Sequence, residues 1–165
     1  MPNTNFKEKL FKGEFVSKVS EVIQGEIVDN PRMIHNIVEP IISYDDDREH
    51  FCTIYLNAKN RINHLEISFI GSLTNCSVYP REIIKTALEY KAAALIFVHN
   101  HPSEELEISI LDKQITKTLL IAADTFAITV HDHIIINKKS YLSMSSEGII
   151  ARIKSSWEAF KIQEI

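Results

Sequence analysis

The sequence predicts an α/β domain in which helices cover a mixed β-sheet. The chain has 165 residues, which corresponds to one domain at ~150 residues per domain. Its content of 45% hydrophobic and 24% charged residues is that of an ordinary globular protein. Segments with strand patterns alternate along the chain with segments of helical periodicity, and this alternation is typical of the α/β class.

The N-terminal segment, residues 1–30, has apolar side chains at helical spacing. We expect it to form an appendage of one or two helices, with Gly13 as the candidate break. Residues 31–148 then form the main domain, and residues 149–165 a C-terminal helix packed on it. The apolar positions of the first segment are Phe6, Leu10, Phe11, Phe15, Val19 and Val22.

A hairpin and a helix are predicted in the first half of the main domain. Residues 49–56 alternate between two apolar faces, which predicts a strand. Residues 57–60 have turn composition, and residues 62–70 form the partner strand. Pro80 suits the first turn of a helix, and helical periodicity continues from there to about Tyr90.

The second half of the main domain begins with an apolar run without alternation, residues 93–98, which predicts a fully buried strand. A polar loop, residues 100–107, follows it. Ser109 with Asp112 three residues later approximates a capping box and starts the next helix. The remaining predicted elements are strands over 125–130 and 133–136 and an amphipathic helix over 148–160.

Charge and cysteine content restrict the function. The chain has 18 Lys and Arg against 22 Asp and Glu, a formal net charge of −4, so no basic surplus is available to neutralise many phosphates. Nucleic acid is therefore an improbable partner. No apolar run approaches the ~18 residues of a membrane span, and the start lacks a secretory signal. With Cys52 and Cys76 expected as reduced thiols, we predict a soluble cytoplasmic protein with no membrane partner.

A candidate metal site lies at the end of the buried strand. His99 and His101 are two residues apart in an extended chain, so both imidazoles project to the same side. Asp112, in the first turn of the following helix, is a plausible third ligand. Two imidazoles and one carboxylate with an open fourth position are the arrangement of catalytic zinc.

Two further residues complete the candidate chemistry. Ser109 shares a helix face with Asp112, so its hydroxyl could stabilise an oxyanion at the open position. Glu49 begins a separate strand that could enter the same cleft, where it would accept a proton from water. The His131 and His133 side chains are expected to orient or pack near the site.

Several motifs in the same order resemble the RadC-like branch of the JAB1/MPN metalloprotease superfamily. His99 and His101, followed at the characteristic spacing by Ser109 and Asp112, are similar to the JAMM signature, His-x-His, seven residues, Ser, two residues, Asp. The resemblance covers roughly residues 35–148. The other matching segments are Leu56 to Asn60, Val78 to Glu82, Ala92 to Ala94, and Asp132 to Ile136.

The resemblance implies a curved mixed sheet flanked by helices, with cytidine-deaminase-like layering. It also implies Zn²⁺ on His99, His101 and Asp112, Ser109 as oxyanion donor and an upstream Glu as general base. The expected function is a zinc-dependent metallohydrolase that cleaves an amide or isopeptide bond of a peptide or protein substrate. A homo-oligomer is compatible with the sequence. The alternatives are a non-catalytic zinc-binding interaction module and an accessory protein in DNA repair, as the family name suggests.

Two points depart from the pattern or stay open. Glu104 stands where the family has Gly, and since a side chain disfavours a left-handed backbone, we expect this loop to take a different path. The general base is either Glu49 or Glu82. We prefer Glu49 because it opens the strand that leads into the hairpin, whereas Glu82 lies in a first helical turn, where a carboxylate favours the helix dipole.

Overall fold

Helices and strands alternate along the residues that a computed structural model describes, 4–42, 47–71 and 78–163. They are α1 (Thr4–Ile23), α2 (Pro31–Ile42), β1 (Glu49–Leu56), β2 (Ile62–Gly71), α3 (Pro80–Glu89), β3 (Ala94–Asn100), α4 (Ile110–Thr125), β4 (Thr129–Ile136), β5 (Tyr141–Ser143) and α5 (Ile149–Gln163). The strands form one sheet in the order β2-β1-β3-β4-β5.

The sheet is mixed, as predicted. Strands β3 and β4 are parallel and are connected through α4, whereas the β1–β2, β1–β3 and β4–β5 pairs are antiparallel. Because α4 returns the chain to the start of β4, the loop between β3 and α4 lies at the carboxyl ends of the two parallel strands. In open α/β sheets this edge is where functional side chains commonly meet.

Both faces of the sheet are covered. All seven residues of β3 are buried, which confirms the interpretation of its unalternating apolar run. One face packs against α3, α4 and α5, and the other against α1 and α2. The strand side chains that project from the first face include Phe51, Tyr55, Leu95, Phe97 and Ile135. Those that project from the second face include Cys52, Ile54, Ile96, Val98 and Ile134.

The N-terminal region contains two helices, of which only the first was expected as such. Helix α1 continues through Gly13 without a break, at a cost of roughly 1 kcal/mol relative to alanine. Helix α2 was not predicted. The Asn30 side chain accepts a hydrogen bond from the Met33 amide at 2.9 Å, and Pro31 is its first residue, so a usable start signal was present in the sequence.

The prediction of two strands over 125–130 and 133–136 is wrong. Helix α4 extends to Thr125, and a single strand, β4, runs from Thr129 to Ile136. Its pairing with β3 shifts by one residue, because Val130 pairs with Leu95 and Asp132 with Ile96. His131 is therefore the extra residue of a β-bulge. The bulge turns the His133 side chain toward the face of the sheet that packs against α4.

The contacts of Asp132 allow the strand to continue through the polar residues His131, Asp132 and His133. The aspartate carboxylate accepts hydrogen bonds from the backbone amides of His133 and Ser145, both at 2.8 Å, and from the Ser143 hydroxyl at 2.5 Å. Burial nevertheless raises the pKa of this carboxyl group. Strand β5, which supplies Ser143, was not predicted, since three residues are too short for a clear alternation.

Two sequence expectations concern the wider environment. Cys52 is a buried cysteine, as expected, whereas Cys76 lies outside the described residues. Within residues 4–42, 47–71 and 78–163, none of the helices has the length and apolar character that a membrane span requires.

Candidate metal centre

Three predicted ligands meet at the carboxyl end of β3. His99 Nε2 lies 2.9 Å from His101 Nε2 and 3.1 Å from Asp112 Oδ1, and His101 Nε2 lies 3.4 Å from Asp112 Oδ2. His99 is fully buried, and Asp112 is 2% exposed. The ligand atoms of the three side chains lie within 4.8 Å of one another, a group that could hold a metal ion.

A capping box fixes the Asp112 carboxylate. Ser109 is the N-cap of α4; its backbone amide donates to Asp112 Oδ2 at 2.8 Å, while the Asp112 amide donates to Ser109 Oγ at 3.0 Å. The predicted helix start is thereby confirmed. The Ser109 side chain also hydrogen-bonds the Asp112 carboxylate, which helps to lower the pKa of that group.

The loop after β3 orients His101. His101 Nδ1 lies 3.2 Å from the Glu105 carbonyl oxygen. Because a carbonyl can only accept, Nδ1 carries the proton in this contact, and in the neutral ring Nε2 presents its lone pair to the cluster. In metal-binding histidines, the ring nitrogen that does not bind the metal typically donates its proton to such a carbonyl oxygen.

The expectation that the side chain at Glu104 keeps the backbone out of the left-handed region is wrong. Glu104 adopts the left-handed conformation, with φ of 61°, which is the conformation a glycine would favour. Three contacts hold it there: its amide donates to the His101 carbonyl at 2.9 Å, its carbonyl accepts from Asn137 Nδ2 at 2.9 Å, and its carboxylate accepts from the Lys138 amide at 3.3 Å. The loop between β4 and β5 thus supports the loop that carries His101.

Replacement of Glu104 should reveal the strain stored at this position. We expect Glu104→Gly to be more stable than Glu104→Ala by about 1 kcal/mol, because both variants lose the carboxylate but only alanine keeps a Cβ in the left-handed region. Urea denaturation of the two variants measures this difference directly. Equal free energies of unfolding would mean that the loop relaxes to an ordinary conformation when the carboxylate is removed.

His133 and Thr116 lie directly behind His99. His133 Nε2 is 2.7 Å from His99 Nδ1, and His133 Nδ1 is 2.5 Å from Thr116 Oγ1. Burial lowers the pKa of His133 far below its ordinary value, so the ring is neutral. His133 is therefore near the site as expected, whereas His131 is not: its Nε2 contacts Asn60 Oδ1 at 2.9 Å.

Thr116 was not identified from the sequence. It lies four residues after Asp112 on α4, the spacing that puts two side chains on the same face of a helix. Its hydroxyl donates to the Asp112 carbonyl oxygen at 2.6 Å. The spacing was a usable signal, but threonines on the buried face of a helix are common. This one differs because the bulge in β4 brings His133 within hydrogen-bond distance of its hydroxyl.

The cluster is electrostatically coupled. Burial alone would raise the pKa of Asp112, but hydrogen bonds with His101 and His99 outweigh it, and the pKa lies well below its ordinary value. The hydrogen bond with Asp112 raises the pKa of His101, although burial opposes this. The carboxylate is thus ionised and needs a nearby positive charge, either a proton on an imidazole or a metal ion.

The two candidate bases have different surroundings. Glu49 is the half-buried first residue of β1, two positions before Phe51, which pairs with His99. It therefore lies at the end of the sheet that carries the cluster and on the same face, and its charge contributes to the raised pKa of His101. Glu82 is in the first turn of α3 and forms an exposed ion pair with Arg81 at 3.2 Å.

A comparison with protein families decides the relationship. The family model of the RadC-like JAB domain matches residues 28–149. The chain belongs to the RadC-like JAB domain family. The matched span of this RadC-like protein contains the three clustered residues, both candidate bases, Ser109, Thr116 and His133, so the whole candidate site lies within the family domain.

Three relatives of this RadC-like protein are each named UPF0758 protein. One from Thiobacillus denitrificans is 42% identical over 124 residues, 75% of this chain and 55% of the relative. One from Desulforudis audaxviator is 45% identical over 103 residues, 62% of this chain and 45% of the relative. One from Actinobacillus succinogenes is 46% identical over 101 residues, 61% of this chain and 46% of the relative. The chain spans about half the length of these relatives.

Proposed function

We propose that this protein is a zinc-dependent hydrolase of the JAMM type that cleaves a peptide or isopeptide-like amide bond. One observation carries the proposal: two imidazole nitrogens and an ionised carboxylate converge within 3.4 Å of one another at the carboxyl end of β3. Membership of the RadC-like JAB family supports it. Because the relatives are longer, the activity of a whole protein of this family is part of the proposal.

The spacing of the cluster fits the proposed metal. A tetrahedron with bonds of ~2.0 Å, as for zinc with imidazole and carboxylate ligands, has edges of about 3.3 Å. His99 Nε2 lies 2.9 Å from His101 Nε2 and 3.1 Å from Asp112 Oδ1, both close to that value, whereas the 3.4 Å contact of His101 is with the other carboxylate oxygen, Oδ2. With one ligand atom from each residue, the three atoms lie within 4.8 Å of one another. The donor set, two nitrogens and one oxygen, suits zinc and leaves one position for solvent or substrate.

Each residue of the site then has a distinct role. His99, His101 and Asp112 would hold the ion. When bound, zinc supplies Lewis-acid activation of water and of a substrate carbonyl. Glu49, on the same face and at the same end of the sheet, would accept the proton that the attacking water loses and deliver it to the leaving amine.

Ser109 would stabilise the charge that develops on the substrate oxygen. Its Oγ accepts the Asp112 amide, and its side chain also hydrogen-bonds the Asp112 carboxylate and so lowers the pKa of that group. In the proposed reaction the hydroxyl would donate its proton to the substrate oxygen while Oγ still accepts the Asp112 amide. A donor of this kind contributes only if it is already aimed at the reacting oxygen, and the cap holds Ser109 in place for that purpose.

The proposal is tested by combining metal quantitation with a hydrolysis screen. The protein is purified without chelator, its zinc is measured by elemental analysis, and it is incubated with a peptide library and with lysine-isopeptide conjugates. We expect one zinc per chain, and turnover that disappears both on chelation and in His99→Ala. Turnover retained by metal-free His99→Ala would overturn the proposed mechanism.

The screen also tests the other functions considered. Bound zinc without turnover on either substrate panel would favour a non-catalytic zinc-binding interaction module. The loop that motivates this alternative has a left-handed backbone at Glu104, the conformation that a glycine would favour. An accessory role in DNA repair has no support in the net charge of −4.

A further inference from the structure

A continuous chain of hydrogen bonds connects the helix α4 backbone to His99. It runs from the Asp112 carbonyl oxygen to Thr116 Oγ1 at 2.6 Å, on to His133 Nδ1 at 2.5 Å, and from His133 Nε2 to His99 Nδ1 at 2.7 Å. Thr116, His133 and His99 are each fully buried. Bulk solvent therefore cannot replace any of these hydrogen bonds without a rearrangement of the core.

The direction of these hydrogen bonds follows from the donor inventory. The Asp112 carbonyl can only accept, so the Thr116 hydroxyl donates its single proton there. Its third neighbour, the Met144 thioether sulfur at 3.4 Å, cannot donate either. The hydroxyl thus has no proton for His133, and the short contact requires a proton on His133 Nδ1.

The remaining proton positions follow from the burial of His133, whose ring nitrogens contact the Thr116 hydroxyl and the His99 ring, because an imidazolium buried without a carboxylate partner would be costly. With the proton on Nδ1, its Nε2 has a lone pair and must accept from His99 Nδ1. His99 then has a proton on Nδ1, and its Nε2, which faces Asp112 and His101, is the atom that would bind the metal once the ring is neutral. His101, with Nδ1 bonded to the Glu105 carbonyl, has the same tautomer.

We propose that Thr116 and His133 are positioning residues that set the His99 tautomer and so prepare its Nε2 as a metal ligand. This inference rests on the proposed metal site but adds two residues that never touch the ion. A His99 ring with its proton on Nε2 could not bind a metal through that atom. The bulge at His131 contributes to this arrangement, because it turns the His133 side chain toward Thr116 on α4.

Two substitutions at position 116 separate the hydroxyl from the bulk of the side chain. Thr116→Val keeps the shape but removes the hydroxyl, so His133 loses the acceptor that holds its proton on Nδ1. Thr116→Ser keeps the hydroxyl and serves as the matched control. Zinc affinity is measured by competition with a chromophoric chelator, and circular dichroism with thermal unfolding confirms that each variant folds.

We expect Thr116→Val to bind zinc about 10- to 100-fold more weakly than the unmodified protein, the usual loss when a residue supporting a metal ligand is removed. Thr116→Ser should retain the affinity. Folded Thr116→Val with unchanged zinc affinity would overturn the proposal, and so would an equal loss in both variants, since the hydroxyl would then not be the group that matters.

The tautomer is measured without metal or activity. Nitrogen-15 NMR of histidine-labelled, metal-free protein at alkaline pH distinguishes protonated from unprotonated ring nitrogens, with His99→Gln used for assignment. We expect His99 to carry its proton on Nδ1 in the unmodified protein and in Thr116→Ser, and to lose this preference in Thr116→Val. A His99 proton on Nε2 in the unmodified protein would overturn the inference. If the unmodified protein binds no zinc, the proposed function fails, while this spectrum still decides the tautomer.

Discussion

Asp112→Asn should abolish tight zinc binding while preserving the fold of the metal-free protein. Asparagine keeps an oxygen that can accept the Ser109 amide, so the capping box that starts α4 persists. It lacks the negative charge and the anionic ligand that His99 and His101 face at 3.1 and 3.4 Å. We expect a loss of more than about 100-fold in zinc affinity, beyond that of a supporting residue.

The same prediction has a large signature in stability. An ion that binds only the folded state at 1,000 times its Kd adds about 4 kcal/mol to the free energy of unfolding, which for a chain of this size corresponds to about 8–16 °C in Tm. The unmodified protein should show this increase with zinc, whereas Asp112→Asn should show at most about 1.4 kcal/mol, because a 100-fold loss leaves the ion at about 10 times its Kd. Thermal unfolding with and without zinc, at matched concentrations, is the measurement.

His131→Ala is the control for nonspecific histidine–zinc contacts. His131 lies at the bulge of β4 and contacts Asn60 instead of the cluster. Its removal should leave the zinc-dependent increase in Tm intact. If His131→Ala loses the increase as fully as Asp112→Asn does, zinc stabilises the protein through another site, and the three-residue centre is not the one that matters.

The sequence predicted the parts of the site that depend on local rules. The buried strand β3 follows from an apolar run, the start of α4 from the Ser109 cap, and the meeting of His99 with His101 from strand geometry. These are short-range features, in which a residue and its neighbours along the chain determine the conformation. The ligand cluster combines them with a single tertiary fact, the return of α4 over the end of β3.

The parts that the sequence did not reveal depend on long-range pairing. The bulge at His131 arises from the register between β3 and β4, and a polar pair in an apolar segment equally suggests two separate strands. Thr116 contacts His133 because the bulge turns His133 toward α4. Glu104 shows the converse case, since local preference argues against its left-handed backbone, and contacts from the loop after β4 override that preference.

Glu49→Gln should separate metal binding from turnover. Glutamine has nearly the same shape but cannot accept a proton from water at neutral pH, so the chemical step should slow by about 10²- to 10⁴-fold, the usual contribution of a general base. Zinc affinity should be unchanged, because the cluster consists of His99, His101 and Asp112. Single-turnover hydrolysis of a substrate from the screen, with zinc content measured on the same sample, tests both statements.

Glu82→Gln is the matched control, since it is the other candidate base and makes the same chemical change. Its carboxylate forms an exposed ion pair with Arg81 on α3, and such a pair contributes little to stability. Turnover should therefore survive in Glu82→Gln. The reverse result, with Glu82→Gln inactive and Glu49→Gln active, would assign the proton transfer to α3 and would require that helix to approach the cluster when substrate binds. Loss of zinc in Glu49→Gln would instead make Glu49 part of the metal centre, and its assignment as base would then be wrong.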